Sequence, residues 1–411
     1  MKRATSLIAT LFVIAGCEQS QTTTPADYAF TGGLWFNGEG FEERTIYVRD
    51  GYFVDDADNA TQTVDLEGAY ALPPLCEAHN HNLGGGDEPE AWIRRYLDDG
   101  VFYVGIMSNL PALTDAVRPL FNTPTSVDVR FSNGTFTGPR GHPIPTRERL
   151  LEQGVYPGFT VETLADHAYF EIASEADLDR AWPIAQGFEP DFIKTVLFGS
   201  DFHAERVNDE RYEGYRGIDP ALLPALVERA HAANLPVAVH IESGADLRMA
   251  VEAGADVIAH MPGYARPTAL DPVDADLAAA AGVTVITTAS FALNFARNPE
   301  RFDEVYAIQS ENLRLLRDAG VSLALGSDRY MDTSHGEADY LHEMGVLTDA
   351  EILDIWTRGC AQTVLPNRQV GEIAPDFEAS FIALAGNPLD DWLMTTNITY
   401  RFKDGAPLVL D

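Results

Sequence analysis

From Leu72 onward the chain repeats one unit, a short apolar run followed by an amphipathic stretch and then another apolar run. That alternation leaves few folds open, because parallel strands joined by helices must be covered on both faces. Apolar runs over 70–78, 101–107, 126–131, 192–197, 236–240, 256–260, 284–288 and 322–326 read as strands. Helical patterns fall between them over 88–98, 175–186, 220–233, 245–253, 275–281 and 310–319, several closed by Gly or Asn. Eight strands predict an α/β fold closed as a (β/α)8 TIM barrel over residues 72–365. A doubly wound open sheet is the alternative, but no glycine-rich dinucleotide fingerprint follows an early strand.

The flanks have a different texture. Residues 28–71 are short β-like runs broken by turn residues, such as Thr45-Ile46-Tyr47-Val48-Arg49 before Asp50-Gly51, a hairpin signal. After a helix over 349–358 the β texture returns at 380–384 and 398–402. Residues 28–71 and 366–411 are therefore expected to form one small β-sandwich domain from both chain ends.

A hydrophobic content of 45% supports a large core and excludes both disorder and a small disulfide scaffold. With 28 Lys and Arg against 63 Asp and Glu, the net charge of −35 repels phosphate backbones, so no nucleic-acid partner is expected. The basic residues are nearly all arginine. Lys2, Lys194 and Lys403 are the only lysines, and each calls for its own explanation.

The first residues read as a targeting segment. Lys2 and Arg3 precede an apolar run over 7–14, too short for a permanent membrane span, and Ile14-Ala15-Gly16-Cys17 follows. This resembles a bacterial lipoprotein signal over 1–17 in which Cys17 is lipidated, with a polar tether over 18–27. The expected location is the cell envelope, anchored by lipid on the periplasmic side, and Glu18 favours the outer membrane. In that oxidising setting a disulfide between Cys76 and Cys360 is open to the chain, but two buried thiols are the expectation, since neither lies in a loop-rich scaffold.

The chemistry concentrates at strand ends. The first barrel strand closes with His79-Asn80-His81, and residues two apart on a strand face the same way, so both imidazoles can reach one metal ion. His240 and His260 end two further strands. One histidine at a strand end is ordinarily a hydrogen-bonded core residue, but four of the ten converge on one mouth in a parallel barrel. Asp328, after Leu323-Ala324-Leu325-Gly326-Ser327, adds a carboxylate from the last strand. Lys194 lies within Phe192-Ile193-Lys194-Thr195-Val196, a strand buried on both faces that leaves little room for snorkelling. Desolvation lowers a lysine pKa, and the neutral amine can take up carbon dioxide as a carbamate with two ligand oxygens.

The His-x-His, Lys, His, His, Asp series resembles the amidohydrolase superfamily, closest to its imidazolonepropionase-like and Xaa-Pro dipeptidase-like branch with a carboxylated lysine. Gly371-Glu372-Ile373-Ala374-Pro375-Asp376 and Gly386-Asn387-Pro388-Leu389 are similar to that family's return strand. Pro74-Leu75-Cys76-Glu77 and Glu378-Ala379-Ser380 depart from its usual pattern without removing a ligand.

The resemblance implies two divalent metal ions, zinc by default, with nickel, cobalt or manganese fitting the same ligands. His79, His81 and Asp328 would hold one ion, His240 and His260 the other, and carboxylated Lys194 would bridge them. A metal-bridging hydroxide would attack an amide, peptide or cyclic amide C–N bond, with Asp328 as the catalytic proton shuttle. Dipeptides or N-acyl amino acids are the expected small-molecule substrates. His142 with Arg140, then Tyr212, Tyr215 and Arg216, and Arg329 are the substrate-binding candidates. The alternatives are a lactonase, phosphotriesterase or deaminase on the same scaffold, or a non-catalytic binding lipoprotein. Contact with the membrane is expected only through the lipid anchor, and a homo-oligomer is compatible with the sequence.

Overall fold

The computed structural model describes residues 25–57, 59–85 and 88–410, so the signal, Cys17 and residues 18–24 of the tether expected from the sequence lie outside the described residues. The barrel strands are Leu75–Asn80, Val101–Ile106, Asp128–Phe131, Ile193–Val196, Val237–His240, Val257–Ile258, Thr284–Ile286 and Ser322–Ala324. Parallel pairing runs through the first three as one sheet and through the last five as another. The seam between last and first strands is closed by Ala78 N–H on Leu325 O at 3.0 Å and Asp328 N–H on His79 O at 2.8 Å. On the other side Asp191 bridges the two sheets, its N–H on Phe131 O and its carboxylate on the N–H of Phe131.

Two further short strands appear that the apolar pattern does not announce. Phe136–Thr137 pairs with Ile193–Val196 on one side and with Phe170–Glu171 on the other. Two residues carry too little pattern to be read from a sequence.

The run expected over 70–78 is divided by Pro73 and Pro74, which cannot donate to a strand ladder. Its first part, Tyr70–Leu72, pairs antiparallel with Phe381–Leu384 in the end sheet, and its second part starts the barrel. The end sheet runs from Ala406–Pro407 through Ile398–Lys403, Phe381–Leu384, Tyr70–Leu72 and Ala26–Phe36 to Phe41–Arg49 and Tyr52–Val54, with Ala60–Asp65 also on Ala26–Phe36. The strand Ala26–Phe36 thus begins inside the expected tether. Aromatic rings fill this sheet's core, Phe30 meeting Phe381 and Phe402 edge-on at 4.9 and 5.0 Å.

Lys403 explains one of the rare lysines. Fully buried, its amine donates to Asp128 Oδ1 at 3.0 Å and to Thr123 O, while Arg368 takes the other Asp128 oxygen at 2.7 Å. The end sheet is thereby pinned to the third barrel strand. Cys76 and Cys360 form a disulfide between the first strand and the helix Cys360–Val364, correcting the expectation of two thiols. Both side chains are buried in the same core, an arrangement that a separation of 284 residues hides in the sequence. Among the described residues no helix is long and apolar enough to cross a membrane.

Candidate metal centre

The strand ends meet in one cavity of about 210 Å³, whose walls include His79, His81, His142, Lys194, His240, His260 and Asp328. The six ligand positions expected from the sequence are therefore together. Asp328 sits at the hub, its Oδ1 lying 3.5 Å from His79 Nε2 and 3.1 Å from His81 Nε2, its Oδ2 4.0 Å from His260 Nδ1. One nitrogen each of His79 and His260 and an Asp328 oxygen lie within 4.8 Å of one another, a spacing that suits a shared cation.

The local backbone explains how these groups are aimed. His79 Nδ1 donates to Ala259 O at 2.8 Å and His81 Nδ1 to Ser108 O at 3.1 Å, which leaves both Nε2 atoms as acceptors turned into the cavity. His260 Nδ1 is 3.1 Å from Thr288 Oγ1. Asp328 and Thr288 both adopt the left-handed region, at φ of 48° and 45°. Such backbone costs about 1–3 kcal/mol and persists where surroundings over-determine it, as at a functional site. Gly326 is required here, since a Cβ would stand 2.7 Å from His79 N and 2.6 Å from Ile286 Cγ2.

Electrostatics follow burial. His79 is 2% exposed, and desolvation lowers its pKa to about 3. Desolvation likewise carries His142 down to about 4 and His240 and His260 well below the ordinary value, so all four are neutral lone-pair donors at pH 7. Burial pushes the Asp328 carboxyl up, but His79, His81 and Lys194 outweigh it and hold the group below its usual range. Lys194 is lowered by desolvation to about 7, with Asp328 acting in the opposite sense. Its Nζ and the Nε2 of His240 are buried without a hydrogen-bond partner.

Those two orphaned nitrogens make the fit test for a metal. Buried polar atoms are almost always satisfied, and these two exceptions, both nitrogens, line the cavity of the strand-end histidines. A set of four imidazoles, one carboxylate and one amine suits zinc and its first-row neighbours.

The substrate-side expectations fare differently. His142 lines the cavity, its ring stacked on His240 at 4.7 Å. Arg140 does not; its guanidinium is taken by Glu148 and Glu213. Arg216 is buried and spent on the carbonyls of Pro139, Arg206 and Asp209, so it shapes the loop instead of gripping a ligand. Tyr212 packs under Arg206 and Arg211, Tyr215 under Arg266, and Arg329 faces Asp332, all three outside the cavity lining. The sequence reading missed Arg147, Arg149, Tyr264, Phe291 and Tyr330, which do line it. Tyr264 stacks on His260 at 4.1 Å and Tyr330 on His81 at 5.3 Å. Arg147 follows His142 by five residues, on the helix Ile144–Glu152 that opens just after it, the only signal that could have marked it.

Residues 171–391, more than half of the chain, match the model of the amidohydrolase family. The chain belongs to the amidohydrolase family. As a member it is a hydrolase acting on C–N bonds. It is 25% identical over 372 residues to the imidazolonepropionase of Rhodococcus jostii (strain RHA1), covering 84% of this chain and 80% of that protein. Its fold is similar to that of the ochratoxinase of Aspergillus niger, with a TM-score of 0.73 at 18% identity, covering 93% of this chain and 96% of the other. It is also similar to a prolidase solved in complex with N-methylphosphonate-L-proline, with a TM-score of 0.71 at 20% identity, covering 93% and 100% of the two chains.

Proposed function

We propose that this amidohydrolase is a two-metal enzyme that hydrolyses the amide bond of dipeptides or N-acyl amino acids. His79, His81 and Asp328 would hold one ion, His240 and His260 the second, and Lys194, carboxylated, both. The observation that carries this reading is the buried, unpartnered amine of Lys194 among neutral imidazoles. Without a second set of ligands to bridge, burying that amine would cost several kcal/mol to no purpose.

When bound, divalent ions supply a water activated at neutral pH and polarise the scissile carbonyl. The protein's own groups do the rest. Asp328 stays ionised and is placed to take the proton of the attacking water and return it to the leaving nitrogen. His142, neutral and stacked on His240, can donate a hydrogen bond to the carbonyl oxygen. Tyr264 and Phe291, in tilted ring contact at 5.0 Å, give an apolar wall that keeps water from the reacting carbon.

The names of related proteins support the substrate class: a prolidase bound to a proline derivative and a Xaa-Pro dipeptidase with methionine in its active site share the fold. The test is a screen of purified protein against dipeptides and N-acyl amino acids with Asp328→Asn as the blank, alongside metal analysis. Two ions per chain and a drop in kcat of about 10²–10⁴ in the variant are expected. Full activity in Asp328→Asn would remove the shuttle.

The proposal extends to location. Residues 1–17 carry a lipobox ending at Cys17, and the Cys76–Cys360 disulfide suits an oxidising compartment, so a lipid-anchored periplasmic protein is proposed. Palmitate labelling in a bacterial host that disappears in Cys17→Ala would support it.

A further inference from the structure

Arg147 is a buried cation without a counter-charge. It is 7% exposed, yet among the described residues no carboxylate lies within 4.0 Å of it, in a chain of 63 acidic residues where most arginines face one. Its Nη2 donates to Ser108 O at 3.0 Å and to Ser108 Oγ, its Nη1 to the Tyr156 hydroxyl, all neutral acceptors. Its Nε is buried with no partner at all. Arg216, the other buried arginine, spends its Nε on a carbonyl and leaves no such vacancy.

The position is as telling as the missing partner. Ser108 O accepts from both Arg147 and His81, so the guanidinium and a proposed metal ligand share one carbonyl oxygen. Arg147 lines the same cavity as the strand-end histidines. Two residues on, Arg149 reaches that cavity from an exposed position, and no acid among the described residues pairs with it either. Tyr264 and Phe291 add an apolar surface to the same cavity.

A buried guanidinium with an idle N–H, on a cavity that a second, exposed and unpaired arginine also lines, is arranged for an anion that arrives with the ligand. We propose that Arg147 and Arg149 bind the carboxylate of the substrate, so that the enzyme takes amides bearing a free carboxylate near the scissile bond and rejects their neutral counterparts. This rests on the reading of the site as an amide hydrolase, but anion selectivity can be measured apart from turnover.

Binding is measured by calorimetry on the metal-free protein with a panel of N-acetyl amino acids, N-acetyl-L-phenylalanine among them, against the matched primary amides. The acids are expected to bind about tenfold or more tightly than the amides. Arg149→Gln, an exposed change that the fold should tolerate, is expected to weaken the acids several-fold and leave the amides unmoved, the difference shrinking at 1 M salt. Arg147→Lys keeps the charge but loses the planar fork, and should weaken the acids further. In the metal-loaded enzyme the same acid-over-amide preference is expected in KM. Equal binding of acids and amides, or binding of neither up to millimolar concentration, overturns the proposal. Acid-selective binding without hydrolysis would sustain it while removing the amide-hydrolase reading.

Discussion

Ser327 gives both its backbone N–H and its hydroxyl to the Glu77 carboxyl group, at 2.8 and 2.6 Å. Glu77 also accepts from the N–H of His79 at 3.1 Å. One buried carboxyl group therefore holds the residue before Asp328 and the backbone of His79 in a single clamp across the barrel seam. Burial pushes Glu77 up to about 8, against the pull of those donors. A carboxyl whose folded pKa is raised contributes stability that is full below its unfolded value of 4.5 and lost as pH rises through about 8. Glu77→Gln does not titrate, so its stability relative to the parent should rise between pH 5 and 8. Urea unfolding of the metal-free proteins at pH 5, 6.5 and 8 checks the sign, and a gap moving the other way would mean that Glu77 is ionised in the fold. Glu77→Ala, which strands several buried donors, should lose at least about 3 kcal/mol at any of these pH values.

The neutral imidazoles give a second pH dependence. His79 and His142 are lowered by desolvation to about 3 and about 4, and His240 and His260 further. Between the unfolded value of 6.5 and these folded values the unfolded chain binds more protons, so stability falls on acidification. The Tm of metal-free protein should drop markedly from pH 7.5 to 5, and His260→Gln should flatten the slope. An unchanged slope in this variant would place the acid sensitivity elsewhere.

Lys194 titrates near 7, so its amine is mostly neutral at pH 8 and mostly charged at pH 6. Carbamate formation needs the neutral amine. Reloading of metal-free protein with zinc and bicarbonate, adjusted to the same dissolved carbon dioxide at each pH, is expected to be about tenfold faster at pH 8 than at pH 6. Lys194→Ala should bind fewer than two ions and show no bicarbonate effect, read by metal analysis.

The Cys76–Cys360 bridge closes a loop of 284 residues and ties the first barrel strand to the helix Cys360–Val364, well after the last strand. Removing it in Cys76→Ala/Cys360→Ala should cost about 3–5 kcal/mol in denaturant unfolding with little change in activity once folded. A variant as stable as the parent would show that core packing alone holds the two elements together.

Much of the site was legible because its ligands sit on apolar strands whose pattern is strong. His79, His240 and Lys194 fall inside strands, and the fold brings strand ends to one mouth. His260 and Asp328 lie beyond the ends of their short strands, yet still in the cavity. The substrate side was much less legible. Arg140 lies in a loop that resembles a family substrate loop and Arg216 in a polar insertion after the fourth strand, and a sequence does not show that Glu148 or a carbonyl has already engaged them. Arg147 went unnoticed for the converse reason, since its meaning lies in a partner it lacks. The division at Pro73 was visible in the residue types, but which sheet each half would join depends on a strand more than 300 residues away.

That last pairing has a consequence for synthesis. Tyr70–Leu72 emerges early from the ribosome but finds its partner, Phe381–Leu384, only when almost the whole chain has followed. Until then Ala71 and Leu72, both fully buried at the end of folding, belong to an open strand border that other nascent chains can cap. A premature stop a little before Phe381 should therefore yield insoluble protein, even though every proposed metal ligand has already been translated.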